Sequence, residues 1–304
     1  MAKKIKPKEI KMTVYEIHYV EQNPQEPDLC TDLHKSLDDS DTIRDRLMPL
    51  SEKESNTDSD FIAEFKLSNN FLFGSFARLT AGEESAVPKA VLDKKTVSLK
   101  EMISESSDTN EGSIKTSSFF CIFKNLLVIT NRQMTLKALQ NYVNWLMEKN
   151  GILEKITFIP KKNTASEIPI NDIKAIEIAG EYIKSKDETK TQVIDLTSKI
   201  LRPLLDVKGK KDFDEENLVS AKLTLKFKRK EINKEKALDV ALKITDDENI
   251  VIISRSGKKI HGSEYLVTAV RSIEKVKDDI FNEKAIETEM RQILKDVNSG
   301  KMVS

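Results

Sequence analysis

DFIAEFKLSNNFLFGSFARL, residues 60–79, reads as two strands joined by a turn. Apolar and aromatic residues crowd DFIAEFKL and FLFGSFARL, and Ser68-Asn69-Asn70 separates them. Asparagine tolerates the left-handed backbone of a tight hairpin turn, so the two runs are expected to pair antiparallel. Gly74 interrupts the second run and marks a bulge or a close approach of another group. Antiparallel hairpins of this kind suit an α+β protein, with antiparallel sheets, flanking helices and a helical C-terminus.

The flanking sequence extends the pattern. Met12–Val20 alternates and reads as a first strand after a basic lead-in over residues 1–11. Leu29, Leu33 and Leu37 have helical spacing, and Asp38–Asp41 could cap a second short helix in TIRDRLMPL. Ser98 with Glu101 three residues on is a capping-box pattern. FFCIF and LLVIT around Lys124-Asn125 form a second hairpin, and Leu136, Leu139, Val143 and Leu146 line one face of a helix that stops at Asn150-Gly151. KITFIP, NDIKAIEIAG and NIVIIS read as strands, and VIDLTSKILRPLLD and NKEKALDVALKI as helices. From Glu264 to about Val297 the apolar residues keep a helical period, with room for a break near Asn282, which predicts a long C-terminal helix and a candidate dimer element. Two polar stretches, 106–113 and 207–217, read as linkers. They suggest a discontinuous main lobe, residues 1–105 plus 207–304, and an inserted lobe, residues 106–206, in a protein of antiparallel sheets with flanking helices.

Composition narrows the function classes. The chain of 304 residues holds Lys+Arg 50 against Asp+Glu 50, so any attraction for a polyanion must come from local segregation of charge. At 33% charged the surface is densely ionic, above the usual quarter or so. No apolar run approaches the eighteen or so residues of a membrane span, and the basic start lacks the apolar core of a secretory signal. Cys30 and Cys121 stand far apart, as do His18, His34 and His261, which gives neither a disulfide framework nor a metal cluster and suits a cytoplasmic setting.

Enzyme signatures are missing. The chain has no G-x-x-x-x-G-K-[ST], no G-x-G-x-x-G and no G-x-S-x-G. Cys121 inside FFCIF reads as a buried, inert thiol. Glu64-Phe65-Lys66, with Asp60 and Asp45 upstream, has the residue types of a metal-dependent nuclease, although E-x-K is common in so charged a chain. No catalytic, metal or cofactor residue is assigned.

Local positive charge remains. In LVSAKLTLKFKR, Leu218–Arg229, Val219, Ala221, Leu223, Leu225 and Phe227 fall on one side of a strand. Lys222, Thr224, Lys226 and Lys228 fall on the other, and Arg229 and Lys230 follow. Lys208, Lys210 and Lys211 precede this ladder, and Arg255, Lys258 and Lys259 lie in a later turn around Gly257. The plain reading is a solvated strand face and an ordinary turn. The functional reading is a row of phosphate contacts, with the Gly257 N–H free to approach a phosphate. No aromatic residue interleaves with the lysines, so duplex backbone is a better target than stacked single-stranded bases.

In layout the chain resembles the RexA family of phage exclusion proteins. The likeness is carried by FLFGSFARL, by SSFFCIFKNLLVITNR and its following helix, and by KLTLKFKRKEINKEKALDVA with Lys226-Phe227-Lys228-Arg229 before a helix. It is more distantly similar to the ring-forming recombination protein RdgC. The resemblance implies a two-lobed α/β protein with a globular and a swivelling domain. It implies a homodimer that binds double-stranded DNA with little sequence preference and acts in phage exclusion beside a membrane-protein partner. The expectation is thus a non-enzymatic, cytoplasmic DNA-binding protein of phage exclusion or anti-phage defence. A protein-binding scaffold or inhibitor acting on a defence complex is the alternative, and a metal-dependent nuclease the third.

Overall fold

The computed structural model describes residues 7–20, 28–50, 58–79, 89–102, 114–130, 136–163, 172–181, 220–226, 250–277 and 280–301. It has the α+β composition that the hairpins imply, in two compact units: residues 1–161 with 268–304, and residues 162–267.

The first unit is built on one antiparallel sheet. Its strands are β1 (Lys8–Tyr19), β2 (Met48–Pro49), β3 (Ser59–Ser68), β4 (Phe71–Leu79), β5 (Ile114–Phe123), β6 (Leu126–Thr130), β7 (Ile156–Pro160) and, much later in the chain, β12 (Thr268–Ile273). They run in the order β12-β1-β6-β5-β4-β3-β2, with β7 also on β1. The β3–β4 hairpin turns at Asn69 and Asn70, both left-handed (φ 52° and 62°), the geometry that matches the twist of two paired strands. Gly74 answers to close approach: a Cβ there would lie 2.6 Å from Phe120 Cζ and 2.9 Å from the Glu64 carbonyl. The bulge sits across from it, in β3, where the register shifts between Ile62 and Glu64.

Seven successive residues of β4, Phe71–Ala77, are buried, so both faces of the sheet are covered. On one face lie α1 (Leu29–Asp38) and α3 (Leu136–Lys149), with Phe76 5.4 Å from Tyr142 and Phe65 5.9 Å from His34. The other face is covered by α5 (Glu283–Asn298), where the Arg291 guanidinium rests 5.3 Å above Phe71. A short helix, α2 (Lys89–Leu92), and a helical turn at 99–102 complete this unit's described helices; the Glu101 N–H donates to Ser98 Oγ at 3.1 Å, the cap the sequence signals. α3 ends where Gly151 takes φ +80° and the N–H of Ile152 returns to the Met147 carbonyl at 2.9 Å.

The second unit carries β8 (Ile173–Glu181), β9 (Ser220–Lys226), β10 (Ile250–Ser254) and β11 (Lys259–His261) in the order β11-β10-β8-β9, followed by α4 (Gly262–Tyr265). Ile173, Ile176, Ile250, Ile252 and Ile260 are buried on one side of this sheet.

Three expectations are corrected. The stretch from Glu264 is no long helix: it holds the end of α4, then β12, β13 (Lys275–Lys277) and β14 (Ile280–Phe281), and α5 starts only at the break near Asn282. The helical spacing of Leu266, Val270 and Ile273 is overridden by pairing of β12 with β1, which buries Ala269 and leaves Val270 52% exposed. That removes the long dimer helix, although the chain does end in a helix. The lobe boundaries also move. Residues 114–161 join the main unit because β5 pairs with β4, and β7 with β1. Residues from 207 to 267 fall in the other unit because β9 and β10 both pair with β8. Finally, TIRDRLMPL makes a 3-10 turn, Arg44–Arg46, with no side-chain cap, and β1 begins at Lys8, inside the lead-in. Both linkers and both helices expected between residues 190 and 245 lie outside the described residues.

Candidate nucleic-acid interface

Pairing in the second unit sets its open face. Lys226 on β9 is opposite Ala175 on β8, Ala175 is opposite Ile253 on β10, and Ile253 is opposite Lys259 on β11. Directly paired residues project to the same side of a sheet, so this row carries a lysine at each end. Three strand spacings separate the ends, about 14 Å. The next row is Thr224, Glu177, Val251 and His261. Lys226, Lys259, Thr224 and His261 are exposed, whereas Val251, Ile253 and Glu177 are half-buried and Ala175 is buried. Lys222 is opposite Ala179, one row further along β9.

The turn between β10 and β11 is closed by its own hydrogen bonds. The Ser254 N–H donates to the Lys258 carbonyl at 2.8 Å, and the Lys258 N–H to Ser254 Oγ at 2.9 Å. Gly257 takes φ +88°, which favours glycine, but its N–H donates to the Ser254 carbonyl at 3.1 Å. That N–H is therefore not free to meet a phosphate, and the expectation for it is corrected. Lys258 is exposed. Arg255 is half-buried, and its Nε and Nη2 are enclosed without a hydrogen-bond partner among the described residues, so it is the least accessible cation of the turn.

Of the basic residues singled out from sequence, the sheet thus brings Lys226 and Lys259 onto one face. Lys208, Lys210, Lys211, Lys228, Arg229 and Lys230 lie outside the described residues. Sequence reasoning missed Glu177 and His261 on the same face. The alternation of Lys259-Ile260-His261 was the available signal for β11, but three residues are too few to separate a strand from the turn before it.

In the first unit the Glu64 neighbourhood differs from the nuclease expectation. Unbroken alternation would put Asp60, Glu64 and Lys66 on one side of β3; the bulge at Ala63 sends Asp60 to the other. Asp60, fully buried, accepts both Arg78 Nε and Nη2, at 2.6 and 2.8 Å. Asp45 accepts from the N–H and hydroxyl of Thr42 at 2.9 and 2.8 Å. Glu64 instead meets Glu283 of α5, and burial with that contact pushes its carboxyl up to about 7. Cys121 is buried among apolar groups that push its thiol far up, and the Cys30 thiol is pushed up to about 12 by burial, so neither is an activated nucleophile. No helix among the described residues is long and apolar enough to cross a membrane.

Compared with known proteins, the chain matches no family model and no curated protein.

Proposed function

We propose that this chain is a non-enzymatic, dimeric protein that binds duplex DNA without sequence preference, through the open face of the 162–267 sheet. The observation that supports it is the row with Lys226 at one end and Lys259 at the other, both exposed. Two cations about 14 Å apart on one face suit contact with phosphates on either side of a groove and carry no base readout. Lys222 extends the same edge strand, and Lys258 stands beside Lys259. The resemblance to RexA proteins supplies the setting: phage exclusion in the cytoplasm, beside a membrane-protein partner.

A gel-shift titration with unrelated duplexes at several salt concentrations tests this. Affinity alike for every duplex and falling with salt, with a log–log slope of about 0.9 per phosphate contacted, is the expected result. The charge-reversed pair Lys226→Glu with Lys259→Glu should weaken binding at least tenfold and flatten the slope by about two contacts. Unchanged binding by that variant removes this face as the site, and no shift at low salt removes the DNA reading.

Half-exposed Val251 and Ile253, with Glu177 in the row beside the lysines, favour a protein partner as the second reading, because mixed charge around apolar centres suits a specific protein interface. Recovery of a stoichiometric protein partner without nucleic acid would support it. A plasmid left intact with magnesium or manganese would remove the nuclease alternative.

A further inference from the structure

β12 is the last strand on one side of the main sheet. Which of its backbone groups point outward follows from β1, where pairing alternates between the two edges. The Val14 carbonyl accepts from the Lys161 N–H at 3.0 Å, and the Val20 N–H donates to the Lys155 carbonyl at 2.8 Å, both on the β7 side. The Ile17 N–H donates the other way, to the Asn125 carbonyl at 2.8 Å, on the β6 side. The register of β1 is unbroken, and β12 follows β7 along the same edge. Ile10 and Met12, in step with Val14, therefore turn their groups to β12 and exchange them with Arg271 and Ala269. Val270 and Ser272 turn theirs away from the sheet. Val270 is 52% exposed and Ser272 is exposed. Among the described residues no strand pairs with this side of β12.

A side chain lies across it instead. Arg271 Nη1 donates to the Val270 carbonyl at 3.0 Å, and Arg271 Nε meets Glu289 Oε2 of α5 at 3.1 Å. A charge placed on an edge strand is one means by which sheets resist adding a further strand. Without that charge, the edge matches a copy of itself. A two-fold axis at Val270 sets Val270 opposite Val270 of the second copy, and Ser272 opposite its Thr268: apolar against apolar, hydroxyl against hydroxyl. An axis at Arg271 would oppose two arginines. One at Ser272 would set Val270 opposite Glu274, whose carbonyl already accepts the Asn282 N–H at 3.0 Å.

We propose that Arg271, clamped by Glu289, guards the β12 edge: while it covers the Val270 carbonyl the edge stays closed, and when the clamp opens β12 pairs antiparallel with β12 of a second copy of this chain. The Arg271 side chain is 25% exposed and that of Glu289 39%, so salt reaches the pair and screens it. The guard therefore loosens as salt rises. This inference goes beyond the proposed function and does not rest on DNA binding.

Sedimentation equilibrium of the full-length chain over a concentration series, without nucleic acid, tests it. Arg271→Met keeps the apolar stem and removes the donor, and should self-associate about tenfold more tightly than wild type. Glu289→Ala should give part of that gain, because Arg271 loses its clamp. Wild-type association should strengthen with salt toward that of Arg271→Met, whose own should change little. Adding Val270→Lys to Arg271→Met sets two lysines opposite each other and should cancel the gain. Val270→Pro deletes the central outward N–H and should cancel it as well. Hydrogen exchange at Val270 should slow with concentration in Arg271→Met. Equal association of wild type, Arg271→Met and Glu289→Ala overturns the guard. A gain that survives Val270→Lys overturns the edge, and the exposure of position 270 keeps that variant usable if Val270→Pro fails to fold.

Discussion

Arg46 is fully buried, and carbonyls hold its guanidinium. Nε donates to Ile62 O at 2.8 Å, and Nη2 to Ala63 O and Lys95 O. Its guanidinium carbon lies 5.2 Å from the Phe65 ring centre, and its own carbonyl accepts the Tyr142 hydroxyl at 3.0 Å. Burial pushes its pKa below the ordinary value, though an arginine stays charged at neutral pH. The donors fall on the bulge that turns Glu64 toward α5, so this side chain fixes the kink that sorts Asp60 from Glu64. Arg46→Met should cost about 2–4 kcal/mol, because it leaves bulge carbonyls buried without donors. Arg46→Lys should recover only part, since one ammonium cannot reproduce the fork. Urea unfolding midpoints at constant m-value measure both, and a loss under about 1 kcal/mol would show that the bulge stands without the guanidinium.

Among the elements, α5 combines a local signal with a distant partner. Asn282 caps it, its side chain accepting the Ala285 N–H at 3.2 Å, and Ile286, Met290, Ile293 and Leu294 are buried. Asn282→Ala should cost about 1 kcal/mol in denaturant unfolding and leave the packed stripe in place. The same substitution should raise hydrogen exchange in the first turn of α5, because the Ala285 N–H loses its side-chain acceptor.

At the scale of the molecule, residues 162–267 are inserted in the chain between β7 and β12, two strands of the main sheet. Pro160, at the end of β7, is opposite Tyr15, and Thr268, at the start of β12, is opposite Thr13. β6 spans Met12–Glu16 on the other edge, so β7 and β12 follow each other along the free one. The chain thus leaves and re-enters the main sheet within about two residues of β1, about 7 Å. Replacing 162–267 by a short Gly-Ser linker should leave a folded main unit with a single cooperative thermal transition. On the proposed function, that protein should also lose DNA binding. A deletion variant that unfolds would show that the units depend on each other, and one that still shifts DNA would place the interface in the main unit.

What the sequence by itself determined is local. The Asn69-Asn70 hairpin, the Ser98 cap, the Gly151 stop of α3 and the alternation of β8 depend on residues within a few positions, where periodicity and turn chemistry speak directly. Only the tertiary structure decided what far-apart segments do to each other. Pairing with β1 turned a helical-looking stripe into β12, and a buried arginine with a bulge moved Asp60 away from Glu64. Glu64 found its partner, Glu283, more than two hundred residues away, and Lys226 came to share a row with Lys259 across two intervening strands. The physical reason is the same in each case. Local preferences amount to a fraction of a kcal/mol per residue, and burial and strand pairing of distant segments outweigh them.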